Sequence, residues 1–205
     1  MQTYFGGRAE CHTRKIKVPI MRLDFLSQYP SVNTNMGNCE ILIAESISFP
    51  EATKEVCEFL NHVTLNKCFE PSFWTKLRFF ALIQPNDDIF PVRAPFDAKD
   101  REHVNIADTH LTSEKPVWFA GPDVVASIIR TGKVPNVLKA LRIVPHGKQP
   151  GMKPITLRGV VKVDPYRDDF FKVLIEQRPR FVSAKARQWL CLRMKNGYFA
   201  PSRIR

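Results

Sequence analysis

An apolar segment that closes on a single acidic residue and then turns sharply constrains this chain more than any other feature. Val18, Ile20 and Leu23 lead to Asp24, and Phe25-Leu26-Ser27-Gln28-Tyr29-Pro30-Ser31 follow. Across residues 14–26, Ile16, Val18 and Ile20 alternate with Lys15 and Lys17, the period of a strand. Pro19 implies an edge position or a bulge. Pro30 suits a helical first turn, so a short helix is expected over 29–36, ended by Gly37-Asn38. A carboxylate at a strand end can hold a divalent cation through oxygen, as Mg2+ prefers. Backbone N–H groups near Ser27 and Gln28, at a helix start, can cradle phosphate oxygens, with the ring of Tyr29 beside a bound sugar. The plainer reading of Asp24 is a solvated aspartate after an edge strand.

A second signal lies upstream, in Tyr4-Phe5-Gly6-Gly7-Arg8. The stretch from Asp24 to Ser31 resembles motif A of family B DNA polymerases, D-x-x-S-L-Y-P-S, with Gln28 where the family usually has Leu. Tyr4 to Gly7 resembles the Y-x-G-G motif that precedes motif A, in the same order and at the same short spacing. The resemblance implies an α+β fold: a partial polymerase palm with an antiparallel sheet, flanking helices and the start of the fingers. It further implies that Asp24 is catalytic and binds Mg2+ together with the Phe25 carbonyl. Ser27 and Gln28 would hold the triphosphate, and Tyr29 would exclude a 2′-hydroxyl. Tyr4, Gly6, Gly7 and Arg8 would contact DNA. Arg178 is the best match for the fingers arginine that reaches the incoming nucleotide, although Val182 stands where a lysine is expected. Pro122-Asp123-Val124-Val125-Ala126 and Asp169-Phe170-Phe171-Lys172 resemble, less specifically, the palm insert of certain bacterial family B polymerase-like proteins.

The net charge of +11 is unevenly spread. Residues 1–132 hold 14 Lys/Arg against 16 Asp/Glu, whereas residues 133–205 hold 17 against 4. The last third therefore reads as the electrostatic footprint of a polyanion, with a solvated basic surface as the alternative. With 44% hydrophobic residues the chain can build a core. No apolar run approaches the ~20 residues of a membrane span, and the N-terminus lacks the pattern of a secretory signal. The expected location is cytoplasmic and nucleoid-associated. The five cysteines are scattered and lack metal-ligand spacing, as expected of reduced, mostly buried thiols.

Along the chain, Cys39–Ser46 fits a short helix or a strand. A helix is expected from Pro50 to about Asn61, with Val56, Phe59, Leu60 and Val63 facing the core. Trp74–Ile83 reads as a strand, Pro85–Asp88 as a turn, and Ile89–Arg93 as its partner strand. Asp87-Asp88 resembles the family's paired-aspartate motif only in composition, and an ordinary turn is the stronger reading. Residues 94–115 read as a polar loop and Val117–Phe119 as a short buried strand. A helix carrying Val124, Val125, Ile128 and Ile129 should stop at Gly132. Val137–Val144 and Ile155–Val163 suggest one hairpin with a basic loop. Asp164-Pro165 should cap a helix from Tyr166 to about Gln177, broken at Pro179.

These readings divide the chain into a palm with its insert (1–165) and an incomplete start of the fingers (166–205). Two-metal phosphoryl transfer needs a second carboxylate across cations about 3.5–4 Å apart. Neither Y-G-D-T-D nor motif B at the proper spacing occurs. The expectation is a fragment of a DNA-directed DNA polymerase, inactive alone. Its partners would be primer-template DNA, deoxynucleoside triphosphates and the remainder of a polymerase, with no membrane. The alternatives are a stand-alone basic nucleic-acid-binding module derived from a palm, and a decayed reading frame.

Overall fold

The structure is a computed structural model; it describes residues 15–19, 27–97, 100–111, 113–157 and 159–181, with backbone alone over most of 92–107 and over 178–181. Helix α1 (Gln28–Asn35) gives way at Gly37 to helix α2 (Asn38–Ile43). Gly37 has φ of 67°, a left-handed conformation that glycine adopts at little cost. The ambiguous stretch after it is helical through Ile43, and strand β1 (Ser46–Ser48) begins only at its last residue. Helix α3 (Thr53–Leu60) buries Val56 and Leu60, while Phe59 and Val63 pack against the same core. That is the face its apolar spacing predicts.

A 3₁₀ turn (Asn66–Phe69), helix α4 (Pro71–Trp74) and a second 3₁₀ turn (Thr75–Leu77) precede strand β2 (Phe79–Gln84). Strands β3 (Ile89–Asp97), β4 (Asp100–His110) and β5 (Val117–Ala120) follow. Helix α5 (Gly121–Thr131) stops at Gly132, which has φ of 71° and donates its N–H to the Ile128 carbonyl at 2.7 Å. Strands β6 (Asn136–Arg142), β7 (Val144–His146), β8 (Ile155–Leu157) and β9 (Val161–Val163) lead to helix α6 (Phe170–Phe181).

The main sheet is antiparallel in the order β5-β2-β6, and three two-stranded ribbons accompany it: β1-β7, β3-β4 and β8-β9. β2 is central, and its alternate residues Phe79, Ala81 and Ile83 are almost wholly buried. Across it lie Val56 and Leu60 of α3, Val124, Val125 and Ile128 of α5, and Phe73 and Leu77. Phe90 stacks on Phe119 with ring centres 4.0 Å apart. Gly121 lets α5 approach closely: a Cβ there would lie 2.2 Å from the Leu77 carbonyl oxygen.

Several expectations are corrected. Residues 15–19 are not a strand: they form a bend and irregular chain, with Ile16 68% exposed and Val18 46% exposed. Lys15 has φ of 64° and Pro19 has no N–H to donate, so this stretch suits no ladder. Trp74–Leu77 is helical, and only from Phe79 does the chain extend. β3 returns from the turn but pairs with β4, formed from the expected loop, rather than with β2. The Ile155–Val163 run folds back on itself around Gly159 to make β8 and β9, whereas β6 joins the main sheet. α6 begins at Phe170, because Asp169 Oδ1 accepts the N–H groups of Phe171 at 2.8 Å and Lys172 at 3.0 Å. It continues through Pro179 to Phe181, where the proline forgoes one N–H bond to the preceding turn.

Candidate nucleotide-binding turn at the start of helix 1

Ser27 is the turn on which the motif reading depends. It sits at the N-cap of α1 with φ of 55° and ψ of 40°, an uncommon left-handed conformation for a residue with a side chain, and is 4% exposed. Its carbonyl accepts the Ser31 N–H at 2.9 Å, the first bond of the helix. The N–H groups of Gln28 and Tyr29 therefore lie in the first turn, ahead of the intrahelical ladder, and Pro30 contributes none. No acidic side chain occupies that turn. Its partial positive charge is thus unanswered by the helix's own carboxylates, a favourable setting for an anion.

Gln28 is exposed, and the Tyr29 ring is 66% exposed. The backbone beneath them is tied down. Asn33 Nδ2 donates to the Tyr29 carbonyl at 2.8 Å, and Asn38 Nδ2 donates to Asn33 Oδ1 at 2.9 Å. Arg78 anchors the α1–α2 junction to the entry of β2, donating to Gly37 O at 3.3 Å and Glu40 Oε2 at 2.7 Å. α6 packs along α1, so the helix that carries Arg178 lies against the helix that begins at Gln28.

Tyr4, Gly6, Gly7, Arg8, Asp24 and Phe25 lie outside the described residues. Arg178 is described by its backbone alone. Of the expected site, the structure therefore describes Ser27, Gln28 and Tyr29 as one continuous turn, together with the helix bearing Arg178. Among the described residues, no three His, Cys, Asp or Glu side chains converge in a metal-binding group. Asp24 and the Phe25 carbonyl, the Mg2+ ligands that the motif resemblance implies, lie outside the described residues. No known protein family, curated protein or solved structure matches this chain.

Other polar groups serve the fold. Asp88, 2% exposed, accepts the Asn86 N–H at 3.0 Å and pairs with Lys133 at 3.3 Å, so the two adjacent aspartates form a turn. Asp87, with φ of 56°, meets His110 Nδ1 at 2.8 Å. A cleft of about 410 Å³ beside α3 includes Glu55 and Arg142 in its lining. There Arg142 is already engaged, at 2.6 Å from both Glu55 Oε1 and the Lys76 carbonyl. Cys39, Cys57 and Cys68 are free thiols, and burial pushes each above its ordinary ionisation range. Among the described residues, no helix is long and apolar enough to cross a membrane.

One carboxyl group has a setting that the sequence did not reveal. Asp123, in the first turn of α5, is pushed up to about 6 by burial, and the nearby charge of Asp108 adds to the effect. A first-turn aspartate ordinarily signals a helix start, and nothing in the letters distinguishes a solvated one from a desolvated one.

Proposed function

We propose that this chain is a palm segment of a family B DNA polymerase, acting in template-directed deoxynucleotidyl transfer as part of a longer polypeptide. The observation that supports this reading is the Ser27 turn. Three residues after the motif A aspartate the chain enters the left-handed region, buries Ser27 and starts a helix whose first turn contains no acidic residue. In this reading the Gln28 N–H meets phosphate oxygens, and Tyr29 packs against the sugar from its exposed position. Asp24 and the Phe25 carbonyl would hold Mg2+, which supplies charge neutralisation on the triphosphate. The Y-x-G-G residues would touch DNA.

The test is Mg2+-dependent binding of a deoxynucleoside triphosphate to the full chain. The reading requires binding that weakens in Asp24→Asn and loses its preference over the ribonucleotide in Tyr29→Ala. Binding indifferent to both substitutions overturns it. Reading the DNA downstream adds an independent check: motif B and Y-G-D-T-D should be encoded there. The second reading, nucleic-acid binding without synthesis, draws its support from the excess of bases after residue 132. Both readings share a nucleic-acid partner, and neither predicts primer extension by this chain alone, because a second metal-binding carboxylate is missing from the motif set.

A further inference from the structure

The basic excess is not one patch, because the fold sorts it. Residues 124–163 contain eight Lys/Arg, no Asp or Glu, and no Phe, Trp or Tyr. Three of those bases are answered by carboxylates from earlier elements: Lys133 by Asp88 at 3.3 Å, Lys139 by Glu51 at 3.7 Å, and Arg142 by Glu55 at 2.6 Å. Lys148 donates to the Tyr166 carbonyl at 2.8 Å. Arg130 on α5, Lys153 and Lys162 are exposed and pair with no carboxylate among the described residues, and Arg158 lies outside them.

Both lysines belong to the β8–β9 hairpin or its approach. Its register sets Thr156 opposite Lys162 on one face, and both are exposed. Leu157 and Val161 on the other face are half-buried, and Val163 is 2% exposed. Gly159, with φ of 72°, makes the turn. The root of the hairpin is held by Tyr166 Oη, which donates to Gln149 O at 2.6 Å and accepts the Met152 N–H at 3.2 Å. Gln149 Nε2 in turn donates to Ala44 O at 3.1 Å. The two unpaired lysines therefore stand on a fixed backbone.

We propose that the β8–β9 hairpin and the segment leading into it, through Lys153, Thr156 and Lys162, bind the sugar-phosphate backbone of duplex DNA. This inference rests on the nucleic-acid partner common to both readings above and names its docking surface. Ammonium and hydroxyl donors are the chemistry of phosphate contacts, and Asp164 and Asp168 beside the hairpin accept backbone N–H groups of their own turn. A two-stranded ribbon is narrow enough to enter a duplex groove. The face that presents Thr156 and Lys162 carries no aromatic ring, and the Tyr166 hydroxyl at the root is tied to Gln149 and Met152. That argues against a single strand, whose binding depends on stacking, and against a membrane surface, where aromatic residues commonly anchor.

The experiment is fluorescence anisotropy of a labelled duplex, and of one of its single strands, across a salt series. The full chain is compared with Lys153→Ala/Lys162→Ala and with Lys153→Arg/Lys162→Arg. Each lost phosphate contact should flatten the slope of log K against log salt by about 0.9, so the alanine pair should flatten it by roughly 1.8. The arginine pair should keep the slope, and circular dichroism should show both variants folded. If the parent chain binds duplex but the alanine pair leaves the slope unchanged, the hairpin assignment fails while the nucleic-acid reading stands. Tighter binding of the single strand, or lysine-dependent binding to anionic vesicles of equal strength, also overturns the assignment. A parent chain that binds no nucleic acid removes both.

Discussion

Replacing Asp123 by asparagine should stabilise the protein at neutral pH and do so only there. Its carboxyl group ionises at about 6 in the fold against 3.8 for the ordinary side chain, chiefly because burial penalises the charged form and secondarily because Asp108 is near. Between those two values the folded protein holds a proton that the unfolded chain has released. Stability therefore falls as pH rises through that window and stays low above it. The two values lie about two pH units apart; at 1.36 kcal/mol each, the ionised group costs about 3 kcal/mol at pH 7.5. The uncharged amide escapes that cost, so the expectation is a gain of up to roughly 3 kcal/mol. Urea denaturation at pH 7.5 should show a higher midpoint for Asp123→Asn at unchanged m, and the gain should vanish near pH 4. Asp108→Asn should recover a smaller part, since charge repulsion is the lesser cause. An equal effect of Asp123→Asn at both pH values, or destabilisation at pH 7.5, refutes the reasoning.

Gly121→Ala should destabilise despite alanine's better helix propensity, by about 2 kcal/mol or more, because its Cβ would press on the backbone of Leu77. A thermal melt no lower than that of the parent would refute that packing. Lys133→Met should cost roughly 2–3 kcal/mol at pH 7, below the range for a fully buried pair because Lys133 is half-exposed while Asp88 is not. Restoring stability with Asp88→Asn in the same chain would identify the stranded carboxylate as the cause. Leu60→Ala, at 1% exposure in the core, should cost about 2–5 kcal/mol by urea titration. Tyr29→Ala should leave the melting temperature within about 1 °C, since an exposed ring contributes little to packing; a larger loss would assign the ring to the fold.

Elements that carry their own stop signal and apolar face were legible in the letters. α3 and α5 show this: Val56 and Leu60, or Val124 and Ile128, recur at helical spacing, and Gly132 ends α5 where a left-handed residue is needed. The start of α1 was legible on another ground, Pro30, which suits a helical first turn. Ile89–Arg93 was legible as a strand, but the end of β3 and the whole of β4 were not, because Pro95 and the mixed charges of 97–102 resemble a loop. A ribbon tolerates such residues, since each strand has an unpaired edge that needs no N–H. The boundary at Phe79 was hidden because Trp74–Leu77 is as apolar as the strand it precedes.

By itself the sequence determined helices α1, α3 and α5, the stop of α5 at Gly132, and that the bases gather after residue 132. Only the tertiary structure decided which strands are neighbours, placing β5 and β6 rather than β3 beside β2. It also decided which lysines meet carboxylates and which, like Lys153 and Lys162, are left to solvent. The physical reason is range. Helix caps and periodic faces are set by residues within a turn or two, whereas strand pairing, ion pairing and desolvation depend on partners tens of residues away.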